Sequence, residues 1–333
     1  MHKQNRQTIL SGMRPTGSLH IGNYLGALKN WVDLQNSGNY KCFFMIADLH
    51  AMSEKFEAKK LPNRIKNLIL DYLACGLDPN KSIILIQSHI LEHTYLSWIF
   101  ATLTPIAELQ RMHQFKEKKD QYDQINAGLF TYPILMAADI LIYKSDTVPV
   151  GEDQTQHVEI TRDIARKFNN CFGNTFPEPK VLLTPTPRVM SLTEPTAKMS
   201  KSKGEKNYIA LSDDEITVRK KIMSAVTDIG ANGEMSPGVA NLFALLDIFA
   251  SDRKICDAFK AAYDSQNLKY QELKEALAQE ITKTLKPIQE KRAELEQKPD
   301  QIGEILFEGT KKARAIAQAT LEEVREKARL LAK

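Results

Sequence analysis

Cysteine is scarce: 333 residues hold four, Cys42, Cys75, Cys171 and Cys256, all far apart in the chain. That spacing excludes the close pairs of a zinc knuckle, a redox dithiol or an iron–sulfur cluster, and four reduced thiols are expected. Long apolar runs are missing too. No stretch approaches the ~18 uninterrupted apolar residues of a transmembrane helix, so no membrane partner is expected. The N-terminal MHKQNRQTIL has neither the apolar run nor the small-residue cleavage site of a signal peptide, which makes the cytoplasm the expected compartment. No charge of one sign dominates. Forty-five Lys+Arg against 41 Asp+Glu leave +4, too slight to announce nucleic acid, so an RNA partner has to be argued from motifs. There is no internal repeat and no low-complexity tract. What remains is an ordinary globular composition, 43% hydrophobic and 26% charged, long enough for two domains or one large domain with an appendage.

Short apolar runs alternate with segments of helical period. Strands are expected at 8–13, 42–47, 82–87 and 147–150, and helices from Ile21 to a cap at Gly38, at 62–75 before Gly76, and at 153–168. Continuous apolar strands joined by helices predict a parallel sheet. A mostly helical stretch at about 92–143 interrupts the alternation, as an insertion between two halves of a nucleotide-binding fold would. Beyond the Pro-punctuated segment 177–187 strand-like runs stop. Helices are expected at 213–226, 239–250, roughly 268–285 and 301 to the end, with Pro287 and Pro299 as breaks and Gly230, Gly233 and Gly238 in a loop. The fold class is therefore α/β: a Rossmann-like parallel-sheet domain over 1–192 with a helical insertion, then an all-helical part over 193–333 whose last helix is free to pack back on the first domain.

The turn RPTGSLHIGN, Arg14 to Asn23, places glycines and hydrogen-bonding side chains where a strand ends and a helix begins. Backbone N–H groups there converge with the positive end of a helix dipole, a seat for polyphosphate, although a plain capping turn has the same composition. It matches neither the Walker nor the dinucleotide fingerprint. The run AKMSKSKG, 197–204, surrounds Met199 with cationic and hydroxyl groups able to close over a phosphate; a solvated loop reads the same way when taken alone.

Together, HIGN and KMSKS resemble the two signatures of class I aminoacyl-tRNA synthetases. The resemblance is nearer to the tryptophanyl-tRNA synthetases of bacterial type, through SGMRPTGSLHIGNYLGALKNW, TYPILMAADI at 131–140 and VPVGEDQ at 148–154, and it covers most of the chain. It implies a tryptophan–tRNA ligase: ATP activates L-tryptophan to tryptophanyl-adenylate, and the aminoacyl group then passes to the 3′-terminal adenosine of tRNA(Trp). A homodimer is implied, with tRNA bound by the helical part. Mg²⁺ would travel on the phosphates rather than in a protein metal site.

By similarity, Arg14, Pro15, Thr16, Gly22 and Asn23 meet ATP with His20 nearby, and Lys198, Met199, Ser200, Lys201 and Ser202 close on its phosphates. Lys118 matches a lysine that reaches phosphate, and from sequence alone it reads equally as a solvated helix charge. Gly151, Glu152 and Asp153 would hold the adenosine, with Val189 beside the adenine. For tryptophan the pattern points to Tyr132 and Gln154 around the amino group, Met136, Val148 and Val150 against the indole, His50 nearby, and Asp139 for the indole N–H. Without the resemblance Met136, Val148 and Val150 read as core, and Asp139 as a buried acid satisfied by a neighbour. Arg14, Leu10, Leu49 and Lys203 depart from the commonest bacterial residues. His89 and His93 could share a helical face, but no third metal ligand is evident.

Three other readings share parts of this pattern. Tyrosyl-tRNA synthetases have the same architecture. Small nucleotidyltransferases carry an HxGH-like turn, but the complete KMSKS and the helical appendage disfavour them. A synthetase-like protein that binds RNA without catalysis would have no need to keep His20, Asn23, Lys198 and Lys201.

Overall fold

The computed structural model describes residues 6–54, 56–119, 125–183, 188–227 and 234–330, with the side chains of 117–119 and 202 outside that description. In chain order the strands are β1 (Gln7–Met13), β2 (Tyr40–Ile46), β3 (Ser82–Ile86), β4 (Thr147–Val150) and β5 (Lys180–Leu183). The helices are α1 (Ile21–Asn23), α2 (Lys29–Ser37), α3 (Asp48–Ala51), α4 (Leu61–Ala74), α5 (Glu92–Leu103), α6 (Ile106–Gln110), α7 (His113–Lys119), α8 (Ala127–Ile142) and α9 (Thr155–Phe172). They continue with α10 (Glu215–Met223), α11 (Pro237–Phe249), α12 (Arg253–Asp264), α13 (Tyr270–Glu296) and α14 (Pro299–Lys327).

Among the described residues the strands form one parallel sheet in the order β3-β2-β1-β4-β5. β1 and β2 pair along their whole length, from Gln7 opposite Tyr40 to Met13 opposite Ile46. β2 buries five consecutive residues, Cys42 to Ile46, because both faces of a parallel sheet are covered; this is why its sequence is apolar without alternation. Strand order reverses between β1 and β4, so the chain leaving these two strands, Arg14 onward and Gly151 onward, starts at the switch point where open α/β sheets hold ligands.

The chain divides into two compact units: Met1–Gly17, Asn30–Pro185 and Lys298–Lys333 in one, Ser18–Lys29 and Thr186–Gln297 in the other. The first holds the sheet and α14, which packs on β3, α5 and α8. Its core joins Phe43, Leu85, Phe100, Ala138 and Phe168 to Ala313, Ala317 and Val324 of α14. In the second unit α13 packs against α10 and α11 through buried Leu273, Leu277, Ile281 and Leu285. Lys274 of α13 donates from Nζ to the carbonyls of Met223 (3.1 Å) and Ala225 (2.7 Å), satisfying the C-terminal end of α10.

The structure adds to the local expectations and corrects some of them. The segment 177–187, to which no element was assigned, contains a strand: Lys180-Val-Leu-Leu pairs with β4 from Thr147 opposite Lys180 to Val150 opposite Leu183. Four residues at a sheet edge, the outer two exposed and the inner two half-buried, hemmed by prolines, leave no periodic signal. Pro287 does not break its helix but lies inside α13, where tertiary packing outweighs the lost backbone bond. Pro299 does stand at the start of α14, where no N–H is needed. Gly238 belongs to the first turn of α11 rather than to a loop, and Gly230 and Gly233 lie outside the described residues. Helix α12 was not anticipated. The helix from Ile21 is interrupted by a π-type segment at Tyr24–Leu28 before Gly38 ends it at φ +70°.

Candidate active site

The expected site residues fall into both units. Arg14, Pro15, Thr16, His50, Tyr132, Met136, Asp139, Val148, Val150, Gly151, Glu152, Asp153 and Gln154 lie in the sheet unit; His20, Gly22, Asn23, Val189, Lys198, Met199, Ser200 and Lys201 lie in the other. Lys118 is in α7, but its side chain and that of Ser202 are outside the described residues.

In the sheet unit, the Arg14 guanidinium is paired with Glu54 at 2.6 Å. After β4, Gly151 leads into a 3₁₀ turn, Glu152–Gln154, closed by the Gln154 N–H to the Gly151 carbonyl at 3.0 Å. Glu152 and Asp153 are exposed there, and Gln154 Nε2 donates to Asp153 Oδ2 at 2.9 Å. Helix α8 is capped by Asn126, whose side chain accepts from the Leu129 N–H at 2.8 Å. Its positions 132, 136 and 139 recur at helical spacing, which puts them on one face. Tyr132 Oη donates to Gln114 Oε1 (2.8 Å) and meets His157 Nε2 (2.7 Å). Burial pushes the Tyr132 phenol up to about 12, so it stays protonated. Val148 is buried, whereas Met136 and Val150 are half-buried against the core, as apolar walls with one accessible side.

Asp139 is 1% exposed, and its partners surround it. His50 Nε2 lies 2.7 Å from Oδ2, His93 Nδ1 2.5 Å from Oδ1, and Gln87 Nε2 2.8 and 2.9 Å from the two oxygens. Burial would raise this carboxyl, but the hydrogen bonds and charge of His50 and His93 outweigh it and hold Asp139 below the ordinary carboxylate value. The buried acid satisfied by neighbours is thus what the structure contains. Gln87, Tyr143, Gln114 and His157 were not legible as site residues, since each sits alone in an apolar or polar stretch, and His93 was read only beside His89 as a metal-ligand pair; the signal available was the carboxylate stranded in the apolar run ILMAADIL.

In the second unit the two signature segments are tied together by backbone. The Ile21 N–H donates to the Ile209 carbonyl (3.0 Å) and the Leu211 N–H to the Leu19 carbonyl (2.9 Å), so the strand-like stretch after KMSKS runs antiparallel to HIGN. The Met199 N–H donates to the Val189 carbonyl (3.0 Å), and Met199 itself is buried as the loop's anchor. Asn207, 5% exposed, accepts from Ser191 Oγ (2.7 Å) and Thr193 Oγ1 and donates to the Lys203 carbonyl, pinning both ends of the loop. Lys203 pairs with Glu194.

At the helix start Asn23 Oδ1 accepts from the His20 N–H at 3.1 Å. A Cβ at Gly22 would sit 2.9 Å from His20 Nδ1 and Cε1, so glycine is what lets the ring lie over the turn. Burial, then Lys201 and Lys198, pull His20 from 6.5 to about 4, and the ring is neutral at physiological pH. Its buried Nδ1 has no hydrogen-bond partner among the described residues. A neutral imidazole in the field of two lysines, with one nitrogen left over, suits an anionic ligand that brings its own hydrogen-bonding groups.

The sequence model of the family described as tRNA synthetases class I (W and Y) matches residues 2–286, and the chain belongs to that family. Its relatives include the tryptophan–tRNA ligase of Caldanaerobacter subterraneus, 43% identical over 97% of this chain and 98% of that protein. The tryptophan–tRNA ligase of Rickettsia conorii is 44% identical over 96% of this chain and 98% of its own length. The crystal structure of tryptophanyl-tRNA synthetase from Campylobacter jejuni, described as complexed with ADP and tryptophan, is similar with a TM-score of 0.85 and 37% identity, covering 96% of this chain and 99% of that one.

Proposed function

We infer that this protein joins tryptophan to tRNA(Trp). In the first step a carboxylate oxygen of tryptophan attacks the α-phosphorus of MgATP, the bond to the bridging oxygen breaks, and pyrophosphate leaves with the electron pair. In the second, the 3′-terminal adenosine hydroxyl of the tRNA attacks the activated carbonyl and AMP leaves. Neither step needs a protein nucleophile. Catalysis is positioning plus stabilisation of charge growing on pyrophosphate, which is the chemistry of Lys198, Ser200 and Lys201.

The observation that carries this reading is the tie between HIGN and KMSKS in one unit, with neutral His20 beside Lys198 and Lys201. The acceptor-rich 151–153 segment suits a ribose. Tyr132 and Gln154 suit the ammonium of the amino acid, Met136, Val148 and Val150 the indole faces, and Asp139 its N–H. Arg14, already paired with Glu54, and Met199, buried, serve ATP through backbone and loop placement rather than through their side-chain tips. The 193–297 helices are the tRNA-binding part of this proposal. Among the described residues no helix is long and apolar enough to cross a membrane, and the proposed workplace is the cytoplasm, where translation runs. Incubation with MgATP, tryptophan and tRNA(Trp) should yield a base-labile tryptophanyl ester on the tRNA; formation of adenylate without ester would remove the tRNA half of the reading.

A homodimer is also proposed. Leu91, at 74% exposed, Tyr95 and Trp98, again 74%, recur along the start and length of α5, an apolar stripe that a second copy of the same surface would cover. Trp98→Glu is expected to convert the dimer to a monomer at micromolar concentration in sedimentation analysis, with the far-UV spectrum retained. A Trp98→Glu protein that remains dimeric would place the interface elsewhere.

A further inference from the structure

We propose that His93 and Tyr143 are positioning residues for tryptophan selection: they lock the Asp139 carboxylate in one orientation so that it can receive the indole N–H. This rests on the reading that Asp139 meets that N–H. Gln87 bridges α3 and the Asp139 carboxylate. Its Oε1 accepts the backbone N–H groups of Leu49 (3.1 Å) and His50 (3.4 Å), so the end turned to Asp139 is the amide nitrogen, which can only donate. Both carboxylate oxygens accept from that nitrogen, and the hydrogen bonds and charge of His50 and His93, which hold the carboxyl below its ordinary value, keep Asp139 ionised.

His93 Nδ1, facing Oδ1, must then carry its proton, which leaves Nε2 turned to Tyr143 Oη at 2.7 Å. A hydroxyl can donate to a neutral imidazole or accept from an imidazolium, so Tyr143 satisfies His93 in either state by turning its O–H. The phenol keeps its own proton, because burial and the neighbouring Asp139 and Glu92 hold it well above its ordinary value. His93 is fully buried and Tyr143 nearly so, with Tyr143 stacked on Phe43 at 4.5 Å between ring centroids, which leaves this end of the network no room to move.

The other end differs. His50, the donor to Oδ2, is the more exposed imidazole, and its ring stands edge-on to Tyr132 at 6.2 Å. An indole N–H therefore reaches the carboxylate on the Oδ2 side and shares or replaces the His50 bond, while the His93–Tyr143 pair and Gln87 keep Oδ1 from swinging away. The sequence places these residues on separate elements, Gln87 after β3, His93 on α5 and Tyr143 at the end of α8, and none of them needs to touch the substrate.

The test is adenylate formation by the full-length protein with tryptophan and with its benzothiophene analogue, in which sulfur replaces the indole N–H. His93→Leu is expected to raise the tryptophan KM about ten-fold, the effect of losing a hydrogen bond to a charged group, with kcat within about three-fold and the analogue's KM nearly unmoved. His93→Asn, whose amide nitrogen overlies Nδ1, should restore most of the selectivity, and Tyr143→Phe should fall between. Equal loss for both substrates, or no rescue by asparagine, would overturn the positioning role. Should His93→Leu not fold, Tyr143→Phe decides: a loss confined to tryptophan with the analogue unmoved is the expected result, and wild-type selectivity removes the proposal. Asp139→Asn separates the two levels. Unchanged selectivity there removes Asp139 from indole recognition and the proposal with it, whereas loss there without loss in His93→Leu removes the proposal alone.

Discussion

Lys201→Ala is expected to lower kcat for tryptophan-dependent ATP–pyrophosphate exchange about 100- to 1,000-fold, the usual cost of deleting one donor aimed at developing charge. The KM for tryptophan should stay near that of the unmodified protein, because charge on pyrophosphate grows in the transition state and an interaction made chiefly there moves kcat. Lys201 opens the 3₁₀ turn Lys201–Lys203 within the loop that Asn207 fastens at both ends, so the loop should keep its shape when the ammonium is removed. The charge is already felt inside the unit, since Lys201 is the larger of the two lysine influences that hold His20 neutral. Steady-state kinetics of both substrates make the comparison. Preserved kcat with weakened tryptophan binding would assign Lys201 to the wrong substrate.

The second large effect is structural. A Cβ at Gly309 would stand 2.0 Å from the Ile84 carbonyl oxygen, a backbone atom of β3 that cannot turn aside. β3 is an edge strand of the sheet, and α14 packs on it through this glycine, so a side chain there forces helix and strand apart. Gly309→Val should cost about 3 kcal/mol or more, as overpacking against backbone does, and lower Tm by roughly 5–10 °C. Gly303, in the same helix, has open space where its Cβ would go; Gly303→Ala should be neutral or stabilising by up to about 1 kcal/mol. Scanning calorimetry of the two variants separates close approach from helix propensity. Equal Tm values for both would show that α14 does not need that contact.

Much of the fold was legible because burial writes itself into the sequence. Strands β1 to β4 appeared as apolar runs within a residue or two of their bounds, and the glycines at 38 and 76 marked ends of helices where φ is positive. β5 escaped because a four-residue edge strand between prolines buries too little to show a period. Pro287 misled for the opposite reason: a strong local rule gave way to the packing of Leu285 and Ile288 in α13. α14 reads in sequence as a helix of the appendage free to pack back on the first domain; it lies in the sheet unit, and Gly309, which no helical period singles out, is the residue that permits its close approach. At the site, HIGN and KMSKS were legible as motifs because phosphate chemistry demands several residue types side by side. Of the partners of Asp139, His50 was named through the resemblance, but Gln87 and His93, and Tyr143 behind His93, come from separate stretches and meet only once the chain is folded.

Pyrophosphate exchange into ATP, measured with each of the 20 amino acids in turn, tests the central claim most directly. Exchange that depends on tryptophan and magnesium, and is at background with the other nineteen, is the expected result; exchange supported by tyrosine instead, or by no amino acid, would contradict it.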